Sequence, residues 1–216
     1  MAALLSVHAP KAGGSSVRRI LASIYGDSMK VDYADNPANA VGQRILDPSR
    51  YMNRRERIPE GVSCIHGHFH PGKYEISAAD VVFTILRNPV DNIISIYYFW
   101  KSMSRQGDFL HDYFLDHNLS LLETAKIPIL RYLYSRTYFG DFPMERFDLI
   151  GRHEDRQAAL LKLAQLIGRP LDVSVRDNVT PPSDARAEVE NDPVLRGRLA
   201  DILADDMRFY ERHALG

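Results

Sequence analysis

The chain is poor in the residues that build disulfide scaffolds, metal cages and membrane spans. It has one cysteine, Cys64, among 216 residues. One cysteine forms no internal disulfide, and structural zinc sites draw on several. Cys64 lies in an apolar run and reads as a small buried hydrophobe in a reducing compartment. No apolar run approaches the roughly 20 residues of a membrane span. Met1 leads almost directly into an apolar run that ends at Lys11, too short and wrongly flanked for an export signal. A cytoplasmic location is therefore expected, and the sequons at Asn118 and Asn178 are read as chance matches. Charge of one sign is also lacking: 27 Lys and Arg stand against 28 Asp and Glu, for a formal net charge of −1. Such a chain has no global field for nucleic acid or an anionic membrane, so an anionic ligand needs a local cluster of donors. There is no internal repeat and no low-complexity tract.

What is present is an ordinary globular composition, 45% apolar and 25% charged. The length fits a single domain over residues 1–216. Ala2 to Val7 is a short apolar run bounded by Pro10 and Gly13, the pattern of a buried strand. Ser15 or Ser16 offers an N-cap, and Val17, Ile20, Leu21 and Ile24 recur at helical spacing. Residues 26–60 are polar, with three prolines and the arginines 50, 54, 55 and 57, and read as loops with one short helix. Val62 to Ile65 is a second strand, running into His66-Gly67-His68. Val81 to Leu86 is the clearest strand, β-rich and continuous as in a parallel strand covered on both faces. Pro89 suits a helix start, and Val90, Ile93, Ile94, Tyr97 and Tyr98 form an apolar stripe after it. Residues 108–136 read as largely helical with a break near Pro128. Phe147 to Gly151 is a fourth strand. A helix carries Ala159 to Ile167 and stops at Gly168, and a last helix carries Leu195 to Tyr210.

Strands alternating with helices imply an α/β fold with a mainly parallel central sheet flanked by helices. Ligands in such sheets bind at the carboxyl ends of the strands. Lys11-Ala12-Gly13-Gly14-Ser15-Ser16, His66-Gly67-His68 and Arg87 each follow such an end. In the first cluster, Gly13 and Gly14 let backbone N–H groups approach an anion, and the next helix start adds its positive dipole end. Lys11 adds a point charge, and Ser15 and Ser16 add hydroxyls. The loop is equally compatible with a plain tight turn. It is not a Walker loop, since no Gly-Lys-Ser/Thr closes it. Arg87 brings a planar fork suited to a phosphate dianion, with Ser95 further along the following helix. His66, His68 and His70 alternate, which in an extended segment sets them on one face. They suit a general base, a zinc site, or ordinary hydrogen-bonded loop histidines.

Together these segments resemble the PAPS-dependent carbohydrate sulfotransferases. His8 to Ser16 resembles their 5′-phosphosulfate loop. Phe83 to Trp100 resembles their 3′-phosphate strand and helix. Ile65-His66-Gly67-His68 is similar to the histidine segment of the heparan sulfate 2-O-sulfotransferase branch. Phe147 to Gly151 with Glu154, and the loop at Asn178, are similar to later family segments. Asn88 and Asn92 stand where that pattern has an aspartate and an arginine. The resemblance implies a P-loop NTPase-like three-layer fold. It implies the cofactor 3′-phosphoadenosine-5′-phosphosulfate, released as 3′,5′-bisphosphoadenosine, and no metal. Lys11 would meet the leaving phosphate. Ala12, Gly13, Gly14, Ser15 and Ser16 would cradle the 5′ end, and Arg87 with Ser95 the 3′-phosphate. His68 would be the catalytic base with His66 beside it. Asn178 and Thr180 would belong to a loop closing over the nucleotide. The acceptor would be a hydroxyl on a glycan, a glycolipid precursor or another small alcohol.

Three rival readings remain at this level. They are a P-loop-like nucleotide kinase, a zinc hydrolase using His66, His68 and His70, and a nucleotide-binding module without catalysis.

Overall fold

The computed structural model describes residues 2–33, 55–105, 107–175 and 184–215. Arg50, Arg54, Asn178 and Thr180 lie outside them. Five strands form one sheet: β1 (Leu4–Val7), β2 (Met29–Asp32), β3 (Cys64–Gly67), β4 (Val81–Leu86) and β5 (Leu149–Arg152). Their spatial order is β2-β3-β1-β4-β5 and every pairing is parallel. The helices are α1 (Gly14–Tyr25), α2 (Pro89–Ser102), α3 (Phe109–Asp116), α4 (Leu121–Lys126), α5 (Pro128–Arg131), α6 (Arg156–Ile167), α7 (Asp184–Asn191), α8 (Pro193–Ile202) and α9 (Ala204–Tyr210). A π-helical turn, Leu133–Tyr138, follows α5. From β1 the chain moves one way along the sheet, through α1 to β2. From β4 it moves the other way, through α2 and its successors to β5. Right-handed crossovers in opposite directions put these helices on opposite faces, which makes three layers.

The strands are nearly all apolar because both faces are covered. Leu4, Leu5, Val7, Ile65, Val82, Phe83 and Leu86 are buried in one continuous core. β2 overturns the reading of residues 26–60 as loops with a short helix for Met29–Asp32, while 34–54 lie outside the described residues. Its four residues are Met-Lys-Val-Asp, and Val31 is exposed. An edge strand covered on one side lacks the apolar run that betrays a buried one. Phe147 to Gly151 also shifts: β5 begins at Leu149. The expected last helix breaks at Leu203 into α8 and α9.

Several local signals hold. Asn88 caps α2, its side chain accepting from the N–H groups of Val90 and Asp91, with Pro89 in the first turn. Gly168 ends α6 in the left-handed conformation, φ 64°. The N-cap of α1 is a correction. It is Gly13, φ 87°, with no side chain capping the helix, and Ser15 and Ser16 lie within the first turn.

Gly67 sits where β3 meets β2, and a Cβ there would lie 1.7 Å from the backbone oxygen of Asp32. Backbone cannot step aside as a side chain can. Gly67→Ala is therefore expected to cost about 1–3 kcal/mol of stability, read as a lower urea midpoint at unchanged slope.

Candidate functional site

The pairing register sets the site. Val7 is level with Gly67 across β1 and β3, so His8 and His68 leave the sheet side by side. Leu86 is level with Arg152 across β4 and β5, so Arg87 and His153 do the same. β1 and β4 stand next to each other, and their following helices depart in opposite directions. The crevice therefore opens at a switch point of the topology. It is a cavity of about 1060 Å³. Lys11, Gly13, Gly14, Ser15 and Ser16 line it, and so do His68, Arg87 and Ser95. Ala12 does not; it is buried in the core at 1% exposure.

The first loop has a defined shape. Lys11 has φ 57° and Gly13 has φ 87°. The first is a left-handed conformation on a residue with a Cβ, which costs about 1–3 kcal/mol and needs outside support. That support comes from the neighbouring strand and helix. The Asn92 amide donates to the Pro10 carbonyl at 2.8 Å, and the Arg87 guanidinium to the Lys11 carbonyl at 3.4 Å. Asn92 thus braces the loop from α2. Arg87 is itself clamped: the Tyr134 hydroxyl donates to its carbonyl at 3.1 Å and accepts from its N–H at 3.3 Å. Gly14 is required for another reason. A Cβ there would fall 1.8 Å from the His8 ring.

That ring is the middle of a stack. His8 lies 4.3 Å from His68 and 5.4 Å from His66, centroid to centroid, both near parallel. Its Nδ1 is 3.1 Å from the Tyr33 hydroxyl. His66 pairs with the Ser6 hydroxyl at 2.9 Å and is 1% exposed. It stands inside β3, behind His8 and away from the cavity, so it does not belong with His68 at the rim. The alternation that suggested one face holds for His66 and His68 only. His70 is turned away by a 3₁₀ turn, Pro71–Lys73. Its Nδ1 accepts from Gly72 N–H, so its Nε2 donates to the Gly140 carbonyl at 2.8 Å. The expected three-histidine face is not formed, and among the described residues no group of three or more His, Cys, Asp or Glu is placed to hold a metal ion.

His68 is set up differently from its neighbours. Its Nδ1 is 2.5 Å from the His8 carbonyl. A carbonyl only accepts, so the ring proton is on Nδ1 and Nε2 carries the lone pair. Burial pushes the His68 pKa down to about 4, against a smaller upward pull from that hydrogen bond, so the ring is neutral at physiological pH. Lys11 is also shifted, down to about 8, by burial first and then by Arg87 and Arg186. Its ammonium sits 3.9 Å over the Phe99 ring.

The sequence reading missed four contributors. His153 and Arg156 follow β5, and a Cβ on Gly13 would be 3.5 Å from one and 3.3 Å from the other. The same rule about carboxyl ends would have found them had β5 been placed correctly. Arg156 stands at the first turn of α6, where a cation opposes the helix dipole, which argues that the cavity rather than the helix is served. Arg186 arrives from α7, for which the sequence gives no signal. Tyr138 comes from the π-helical turn, its ring 5.8 Å from His68. Glu154 also lines the cavity, but its carboxylate is engaged by Asn88 N–H and the Tyr210 hydroxyl.

Fold and site together define an α/β protein that gathers a glycine-containing loop, several cationic side chains and a neutral histidine at one sheet edge. No protein-family model matches the chain, and no curated protein sequence matches it. Among solved structures it is similar to a sulfotransferase from Alicyclobacillus acidocaldarius, at 15% identity over 96% of both chains, with a TM-score of 0.43. It is similar to a mouse sulfotransferase complexed with PAP, at 12% identity, covering 88% of this chain and 63% of that one, TM-score 0.38. A retinol dehydratase in complex with retinol and PAP follows at 10% identity, covering 95% and 81%, TM-score 0.41. Likeness at this level assigns neither a residue nor a reaction.

Proposed function

We propose that the chain is a single-domain sulfotransferase, moving the sulfuryl group of 3′-phosphoadenosine-5′-phosphosulfate to an acceptor hydroxyl in a reducing, cytoplasmic setting. The reading rests on one observation: the Lys11 loop, Arg87 with Ser95, and His68 open onto the same cavity. The cofactor has two anionic ends, and the cavity offers donors for both, the loop before α1 with Lys11 on one side and Arg87 with Ser95 on the other. Gly13, Gly14, Ser15 and Ser16 at the start of α1 suit the 5′ end, with the dipole of a 12-residue helix behind them. Arg87 and Ser95 suit the 3′-phosphate. At about 1060 Å³ the cavity is at the upper end of the ~300–1,000 Å³ usual for one small-ligand site, so it has room for a nucleotide and a small acceptor.

Transfer is in-line at sulfur. By analogy with phosphoryl transfer, the protein mainly positions groups and meets charge. His68 Nε2 takes the acceptor proton, and Lys11 meets the charge that grows on the leaving 5′-phosphate. A kinase reading would need a carboxylate for Mg²⁺ beside the loop. Among the described residues two carboxylates line the cavity: Glu154, whose oxygens accept from Asn88 N–H and the Tyr210 hydroxyl, and Asp155, which pairs with Arg152.

Calorimetry with 3′,5′-bisphosphoadenosine and with ATP separates the readings. Bisphosphoadenosine should bind, and Arg87→Ala should weaken it by about 2–4 kcal/mol, on the order of 10²-fold. A protein indifferent to the 3′-phosphate ends the proposal. Lys11 gives a second test. Its charged form is lost as pH rises through about 8 in the free protein, so kcat/KM should fall above that pH. Bound nucleotide anion favours the charged lysine, so the corresponding fall in kcat should lie at higher pH. Profiles of kcat/KM flat to pH 10 would remove Lys11 from the chemistry.

A further inference from the structure

Two histidines leave the sheet side by side, and their hydrogen bonds put their protons on different nitrogens. The His8 carbonyl holds the His68 proton on Nδ1, which leaves His68 Nε2 an acceptor. His8 itself has Nδ1 3.1 Å from the Tyr33 hydroxyl. Burial first, then His68, His66 and Lys11, hold the His8 pKa well below its ordinary value, so this ring too is neutral and has one proton to place. An imidazole nitrogen accepts more strongly than a phenol oxygen, and a phenol donates more readily than a neutral imidazole. The Tyr33 hydroxyl has no other hydrogen-bond partner among the described residues. Its proton goes to His8 Nδ1, and His8 carries its own proton on Nε2. That atom has no hydrogen-bond partner among the described residues and opens onto the cavity, whereas Nε2 of His66 is sealed off.

The His8 ring also stands between the glycine loop and His68. A Cβ on Gly14 would fall almost equally on Nε2, Cδ2 and Cε1 of His8, so the ring turns a face, and not its Nε2 tip, to Gly14. His66, on one side of the stack, has the Gly14 backbone as a neighbour, and His68 is on the other side at 4.3 Å. A group moving from the loop toward His68 passes along the Nε2 edge of His8.

We infer that His8 is a second working histidine of this site, its Nε2–H donating to an oxygen of the sulfuryl group in transfer, and that Tyr33 is the positioning residue that fixes the tautomer for it. The inference rests on the sulfuryl-transfer reading above. In the reaction the acceptor oxygen bonds to sulfur as the bond from sulfur to the bridging oxygen breaks. The acceptor proton passes to His68 Nε2, and the electron pair leaves on the 5′-phosphate. His8 gives up no proton in this step. It is a neutral donor already aimed, so nothing need reorganise as the group moves. Had both rings kept their protons on Nδ1, two lone pairs would face the cavity and repel the sulfuryl oxygens. Opposite tautomers let one ring take a proton while its neighbour holds an anion.

The first test needs no ligand. With nitrogen-15 in the histidine rings of the whole chain, long-range proton–nitrogen spectra should show a pyridine-type Nδ1 and a pyrrole-type Nε2 in His8, and the reverse in His68. Tyr33→Phe should mix the two tautomers of His8 and leave His68 as it was. Calorimetry supplies the second test, with 3′-phosphoadenosine-5′-phosphosulfate and bisphosphoadenosine as probes. His8→Leu, which keeps bulk and removes the donor, should weaken binding of the phosphosulfate about tenfold, and that of bisphosphoadenosine, which has no sulfuryl group, less than about twofold. His8→Gln, whose amide N–H can stand near the Nε2 position, should recover most of the loss. A fold defect alone would move both nucleotides together and would not be reversed by an amide. If His8→Leu does not fold, the ring spectra of the unmodified protein and Tyr33→Phe still decide. A pyrrole-type Nδ1 in His8, or equal losses for the two nucleotides in His8→Leu, would overturn the inference while the cofactor reading stands. Failure of the unmodified protein to bind bisphosphoadenosine would instead remove the sulfuryl-transfer reading, and this inference with it.

Discussion

His68→Ala should lower turnover by about 10²–10⁴ and leave bisphosphoadenosine affinity nearly unchanged. The expectation follows from one hydrogen bond. Because the His8 carbonyl holds the proton on Nδ1, the lone pair on Nε2 is available at every pH above about 4. The ring is a weak base in the resting state, which suits an acceptor whose proton becomes acidic only as the bond to sulfur forms. The 10²–10⁴ range is what a positioned base usually contributes; on the proposed reading the loop before α1 and Lys11 would supply the rest. His66→Ala should behave differently. That ring is 1% exposed and pairs with the Ser6 hydroxyl, so its loss should appear in stability before it appears in turnover. Equal turnover in His68→Ala and the unmodified protein, with labelled sulfate as the readout, would strip His68 of the role.

Acid should unfold this protein early. His66 is held neutral by burial, with smaller contributions from His68 and Arg18, and its pKa falls to about 3. Unfolded, it protonates near its ordinary value of 6.5. The unfolded chain thus binds a proton that the folded chain refuses. Stability is full above pH 6.5 and falls by about 1.4 kcal/mol per pH unit as pH drops toward 3. His8 and His68 are shifted the same way, chiefly by burial, and add to the loss. Asp206 runs against them. Burial raises its pKa to about 6 despite hydrogen bonds from Tyr134 N–H, Ser135 N–H and the Ser135 hydroxyl, so it resists acid. One carboxylate does not offset three imidazoles. Two pH units below 6.5, His66 alone accounts for about 3 kcal/mol, a large share of a stability that is typically about 5–15 kcal/mol. Urea midpoints should drop steeply between pH 6.5 and 4.5, and less so in His66→Phe. Midpoints level across that range would show that the stacked rings do not carry the effect.

The strand–loop–helix units were legible because each is encoded locally. Leu4 to Val7 and Val81 to Leu86 are apolar runs of strand length, and Pro89 and Gly168 mark helix ends by their own backbone chemistry. Three of the site's groups could be assembled on paper by one rule, that parallel strands deliver their following residues to the same edge. Failures occurred where a signal is tertiary. β2 is polar because it is an edge. His66 carries the same local pattern as His68, and only the register of β3, which takes His66 inside and leaves His68 outside, tells them apart. Ala12 sits within the glycine loop yet turns into the core. Arg186 and Tyr138 come from segments whose path no periodicity records, and Tyr138 lies beyond the 108–136 stretch that reads as helix, at the end of the π-helical turn.

The site is assembled from chain positions far apart: Lys11, His68, Arg87 and His153 arrive on separate strands, and Val7↔Gly67 and Leu86↔Arg152 are the pairings that align them. Such contacts form late, after the entropy of closing long loops has been overcome. A slip of one residue in either pairing would turn His68 or His153 toward the opposite side of the sheet. Nucleotide affinity during refolding should therefore return with the final cooperative step, and not with the earlier gain of helix signal.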